Sequence, residues 1–133
     1  MKSETPLLAQ TRQFAEAILL PLPPAYAYHN HNHTKAVVRA ATAIGQGSDL
    51  TETEIETVLL AAWMHDLGYA SIGQKGHEEQ SAVEARAFLE EKGVPEARIQ
   101  LVEGCILATR VPQLPQNKLE KVMCDADMYH LAS

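Results

Sequence analysis

No apolar run in this chain is long enough to cross a bilayer, which takes about twenty consecutive apolar residues. The best stretch, Ala17 to Ala27, is broken by Pro21, Pro23 and Pro24 and follows Arg12 and Glu16, so it also lacks the uninterrupted core of a signal peptide. Aromatic residues make up only 5% of the chain, which leaves Leu, Ile, Val and Ala to fill the interior. The two cysteines, Cys105 and Cys124, have no metal-type spacing and are expected as buried thiols rather than a bridge. Positive charge is in deficit: 11 Lys and Arg against 17 Asp and Glu give a net charge of −6. That argues against a nucleic-acid polymer as partner, because such binding depends on neutralising many phosphates. It does not exclude a small phosphate ligand met by a few local cations. Internal repeats, low-complexity runs and period-2 alternation are also missing, so no strand is expected. These absences point to a soluble cytoplasmic protein with no membrane partner. At 133 residues it is expected to form one domain over 1–133.

What is present is helical punctuation. Leu7, Leu8, Phe14, Ile18 and Leu19 predict a first helix stopped by the prolines at 21–24. Ala36, Val37, Ala40, Ala41 and Ile44 fall on one helix face and predict a second helix from Tyr28 or His31 to Ile44, ended by Gly45 and Gly47. Thr51-Glu52-Thr53-Glu54 has the form of a capping box and opens a third, with Ile55, Val58, Leu59, Ala62 and Trp63 as its buried stripe. The glycine-rich segment Gly68–Gly76 reads as a loop. A fourth helix follows from His77 to Lys92 with Gly93 as its stop, and Pro95 opens a fifth through Ile99, Val102, Ile106 and Leu107. Asn117 and Glu120 form a second capping pair, opening a last helix with Val122, Met123 and Leu131. The fold class is therefore all-α, five to six helices. The last helix runs to Ser133 with no closing element, which leaves a C-terminal truncation open.

Chemistry concentrates in the histidines. Three of the six lie in His29-Asn30-His31-Asn32-His33, and another in His65-Asp66. Imidazole with carboxylate is the ligand chemistry of a divalent metal that keeps positions open for water and substrate. Residues four apart share a helix face, so His29 and His33 project together while His31 points elsewhere and reads as a surface residue. His65 and Asp66 sit where the third helix is about to turn. Asp125-Ala126-Asp127 supplies carboxylates between apolar Met123 and Met128, and acidic groups in such a setting are costly unless paired or metal-bound. Trp63, Met64 and Tyr69 read as packing residues.

The order His … His-Asp … Asp resembles the HD superfamily of metal-dependent phosphohydrolases. The matching residues are His33, the run Ala61-Ala62-Trp63-Met64-His65-Asp66-Leu67-Gly68-Tyr69, and Asp127 in Cys124-Asp125-Ala126-Asp127-Met128. The segment from Tyr28 to Val37 is also similar to a Tyr-His-Asn-x-x-His-x-x-x-Val pattern in the cyclic-nucleotide phosphodiesterase branch. The resemblance implies an HD-like bundle with a metal site between helices. Its ligands would be His33, His65, Asp66 and Asp127, with Asp125 the second choice for the last. It implies His29 as proton donor and Asp66 as the group orienting the attack. The implied cofactor is one tightly held divalent ion, from among Mn, Fe, Co, Ni, Zn and Mg, with any second ion bridged by Asp66.

The implied reaction is hydrolysis of a small phosphoester, a nucleotide or related metabolite, by phosphomonoesterase or phosphodiesterase chemistry. Arg110, Lys75 and Lys35 are candidate phosphate contacts, Arg110 first because a guanidinium holds two oxygens at once. His77 is a candidate for substrate phosphate or a second ion. Alarmone hydrolysis is disfavoured, because Leu67-Gly68-Tyr69-Ala70 lacks the Glu-Asp pair found there. Two alternatives remain at this stage: a non-catalytic metal- or ligand-binding regulatory domain, and a di-iron oxygenase of the same superfamily. Thr109 stands where the oxygenase would need a further histidine. Homo-oligomerisation is left open.

Overall fold

The computed structural model describes residues 4–21, 31–73, 75–110 and 113–132, with side chains described through 128. These residues form helices and no strand. In chain order they are α1 (Pro6–Leu19), α2 (His31–Gly47), α3 (Glu52–Met64), α4 (Leu67–Ile72), α5 (His77–Glu91), α6 (Glu96–Leu107) and α7 (Lys118–Ala132). The six long helices are the expected ones. The seventh, α4, occupies part of the segment read as a loop from its glycines, and corrects that reading. Among the described residues no helix is long and apolar enough to cross a membrane.

The helix starts follow local chemistry. Thr5 caps α1 by accepting from the Leu8 N–H at 3.2 Å, with Pro6 at a position that needs no donor. At α3 the capping box closes in both directions: Thr51 Oγ1 accepts from the Glu54 N–H at 3.1 Å, and Glu54 Oε1 accepts from the Thr51 N–H at 2.9 Å. Thr51→Ala is expected to lower stability by about 1 kcal/mol. Urea denaturation at neutral pH checks this, and an unchanged midpoint would contradict it. At α7 the Glu120 N–H reaches Asn117 Oδ1 at 2.9 Å, while Glu120 Oε1 accepts from the Gln116 N–H at 2.8 Å. The pair anticipated between Asn117 and Glu120 thus forms, but the glutamate closes on the preceding residue.

α2 runs three residues past Ile44, through Gly45 to Gly47, so the expected stop is corrected. Gly45 packs tightly against α3, where a Cβ would lie 3.2 Å from Ile55 Cγ1. The turn falls instead at Asp49, whose φ is 66°.

α3 is the central element, packed against α1, α2, α5, α6 and α7. That placement explains why its last eight residues, Thr57 to Met64, are all buried, where a surface helix would bury one stripe. Its C-terminal end delivers His65 and Asp66 into the middle of the bundle. Around it the core is completed by Leu19, Val37, Leu67, Leu89, Ile99, Val102, Ile106 and Met123, all essentially solvent-free. Cys105 and Cys124 are buried free thiols, as expected. Burial pushes the Cys124 thiol up to about 11, which keeps it protonated and inert.

Candidate metal centre

His33 comes from the first turn of α2, His65 caps the end of α3, Asp66 precedes α4, and Asp127 lies on α7. Their side chains meet in the interior. His33 Nε2 is 3.5 Å from Asp66 Oδ2 and 3.4 Å from Asp127 Oδ1. His65 Nε2 is 3.3 Å from Asp66 Oδ2 and 3.6 Å from Asp127 Oδ1. One ligand atom from each of His33, His65 and Asp127 lies within 4.8 Å of the others, the span of donors around one ion. Asp66 flanks this trio through both imidazoles.

Two local details fix the orientation. Asp66 occupies the N-cap position of α4 yet makes no cap hydrogen bond with that helix. An aspartate there ordinarily accepts from a backbone N–H; here its carboxylate faces imidazoles instead. His65 Nδ1 donates to the Ala62 carbonyl at 2.8 Å, in the last turn of α3. That bond places one ring proton on Nδ1 and turns Nε2, buried and with no hydrogen-bond partner, toward two carboxylates, where it takes either a metal ion or a second proton.

The electrostatics fit a cation-binding site. Burial alone would push the His65 imidazole down, but the charges of Asp66 and Asp127 outweigh it and raise the ring to about 10. Burial likewise pushes the Asp127 carboxyl up, but the His33 and His65 imidazoles win and hold it well below the usual carboxylate range. Two acidic groups so deeply buried need positive charge, which a divalent ion or a protonated imidazole supplies. The donor set of two imidazoles and two carboxylates fits such an ion.

His77, the first residue of α5, joins from the far side of Asp66. Its Nε2 is 3.2 Å from Asp66 Oδ1 and 3.5 Å from Glu78 Oε2, and the edge of the Tyr69 ring packs against it. Gly76 makes this entry through a left-handed turn at φ 76°, a conformation glycine adopts without strain.

The other sequence candidates fall elsewhere. Asp125 is exposed and pairs with Lys121 at 3.3 Å, so the buried partner of the imidazoles is Asp127. Arg110 is half-exposed and its guanidinium donates to Glu79 Oε2 at 2.6 Å, outside the cluster. Lys75 is exposed in the turn ahead of α5, and Lys35 is half-buried on α2. Thr109 is buried and donates to the Ile106 carbonyl at 2.7 Å, closing its own helix end. His31 is not the surface residue expected: it is half-buried, with Nε2 2.7 Å from Glu16 Oε2 and its ring stacked toward Trp63. It ties α2 to α1. His29, and with it the Tyr28–His29 part of the phosphodiesterase-like pattern, lies outside the described residues. Sequence reasoning missed Gln113 and Glu78. Gln113 carries no signal in a proline- and glutamine-rich segment, whereas Glu78 could have been found from its place beside His77.

The model of a family described as HD domain matches residues 30–132. No curated protein and no solved structure matches the chain.

Proposed function

Because the chain belongs to the HD-domain family, we propose that it is a metal-dependent phosphohydrolase acting on a small phosphoester, such as a nucleotide. The observation that carries the reading is the His65 Nε2 atom. It is buried, without a hydrogen bond, and aimed at the carboxylates of its chain neighbour Asp66 and of Asp127 on α7. His33, His65, Asp66 and Asp127 are the ligands in this reading. A divalent ion held by them supplies a water that ionises near neutral pH and positive charge against the phosphoryl oxygens.

The remaining chemistry belongs to the chain. Asp66 has one oxygen toward His33 and His65 and the other toward His77. It would therefore orient the attacking water, with His77 holding that carboxylate in place and available to substrate phosphate or a second ion. His29, four residues before His33, is the proton donor to the departing oxygen, a role suited to a group titrating near neutrality. Arg110 is the phosphate contact of this reading, exchanging its Glu79 partner for substrate oxygens. Lys75 is a further cation for the substrate phosphate in this reading, and the acidic overall balance favours a small substrate over a polymer.

The test is metal-stripped protein reloaded singly with Mn, Co, Ni, Zn or Mg. Each form is assayed for phosphate release from nucleoside monophosphates and for cleavage of cyclic nucleotides and a chromogenic phosphodiester. At least one loaded form is expected to turn over at least one of these, with the stripped protein silent. Absence of hydrolysis by every loaded form on every ester would sink the reading.

A further inference from the structure

We propose that Gln113 is a positioning residue for Asp127, fixing which of its two carboxylate oxygens faces the metal site. The inference rests on the metal-centre reading above and adds a residue from a different part of the chain.

Gln113 Nε2 lies 3.2 Å from Asp127 Oδ2. A carboxylate only accepts, so the amide nitrogen is the atom turned toward it. The other oxygen, Oδ1, faces His33 Nε2 at 3.4 Å and His65 Nε2 at 3.6 Å. The two oxygens thus have separate partners. Rotation about the last side-chain bond of an aspartate is soft and nearly two-fold, so without a partner on Oδ2 the carboxylate would swing between one-oxygen and two-oxygen contact with an ion. With Gln113 in place it offers one oxygen, which leaves coordination positions for water and substrate.

The loop that carries Gln113 is braced for this. Gln116 and Asn117 are tied to Glu120 at the start of α7 by hydrogen bonds of 2.8, 2.9 and 3.2 Å. Gln116 Nε2 also donates to the Leu114 carbonyl at 3.1 Å. These bonds anchor the loop to the first turn of α7, and Gln113 reaches from it to the carboxylate farther along the same helix. Gln113 is half-buried while residues 114–118 are exposed, so it is the one residue of that stretch turned toward the interior.

The experiment is a Co(II) titration of the metal-stripped full chain, read by visible absorption and by competition with a chelator. Gln113→Met keeps the length of the side chain and removes the amide, donor and acceptor together. Gln113→Asn keeps the amide but withdraws it by one C–C bond, about 1.5 Å, and serves if the methionine perturbs the loop. His65→Ala reports on the centre itself. Wild type is expected to give a cobalt spectrum and His65→Ala none. Both Gln113 variants are expected to bind about 10- to 100-fold more weakly, with altered absorption bands and an unchanged far-UV circular dichroism spectrum. Wild-type affinity and an unaltered spectrum in both variants overturn the positioning role and leave the metal centre standing. A wild-type protein that behaves like His65→Ala overturns both.

Discussion

If the proposed metal-dependent hydrolysis holds, replacing His65 by alanine is expected to abolish metal retention and lower activity by at least about 10³-fold, because the ion would have activated the water. It will also weaken the metal-free protein by about 3–5 kcal/mol, since one of the imidazoles that offset the buried Asp66 and Asp127 is gone. Metal analysis, a phosphatase assay and urea denaturation read the three effects. Asp125→Ala is the internal control. Its carboxylate is exposed and paired with Lys121, so metal content and activity should hold and stability should move by no more than about 0.5 kcal/mol. Equal losses in the two variants would remove the case for a buried centre at His65.

The same residue sets a pH dependence whose sign is fixed. Asp66 and Asp127 outweigh the burial of His65 and raise its ring from 6.5 to about 10 in the folded protein. The stabilisation from that proton is complete below pH 6.5 and is lost as pH climbs toward 10. Metal-free protein should therefore show a urea midpoint that falls between pH 6.5 and pH 10, whereas bound metal replaces the proton and removes that slope. A midpoint that stays level or rises across the window in metal-free protein would contradict the assigned charge state.

How much of this was legible in the sequence depended on range. Capping residues act over three or four positions, so Thr51 and Asn117 marked their helix starts from local sequence alone, whereas the Thr5 cap of α1 emerged only in the structure. The set His33, His65, Asp66 and Asp127 was legible through its likeness to the HD pattern; the residues alone showed only that paired imidazoles and carboxylates in apolar surroundings have few inexpensive alternatives. The family pattern ranked Asp127 ahead of Asp125, but local sequence gives no reason for it: both flank Ala126, and the packing of α7 against α2 and α3 buries one and exposes the other. His31 looked like surface because its partner Glu16 sits on another helix. α4 was unreadable for a different reason. Six residues are too few to display a helical period, and its glycine carries the same letter as a loop glycine. Gln113 has no local signal at all; its partner lies fourteen residues on and its role exists only once the loop folds back.

Gly68→Ala will destabilise the protein by about 3 kcal/mol or more, although alanine is the better helix former and Gly68 lies within α4. The reason is α5. A Cβ at position 68 would sit 2.3 Å from the His77 carbonyl oxygen and 2.7 Å from the Ser81 nitrogen, both backbone atoms that cannot swing aside. The Gly68 N–H also donates to Ser81 Oγ at 2.8 Å, so the two helices meet backbone to backbone. Relief requires α5 to retreat from α4, and His77 retreats with it, away from Asp66 Oδ1 at 3.2 Å. Stability and the His77 side of the centre should therefore fail together. Gly47→Ala separates this from a general glycine effect: nothing lies within 4 Å of its Cβ position, at the last residue of α2, and the substitution should stabilise by up to about 1 kcal/mol. Urea denaturation of the two variants gives opposite signs if contact decides, and the same sign if helix propensity does.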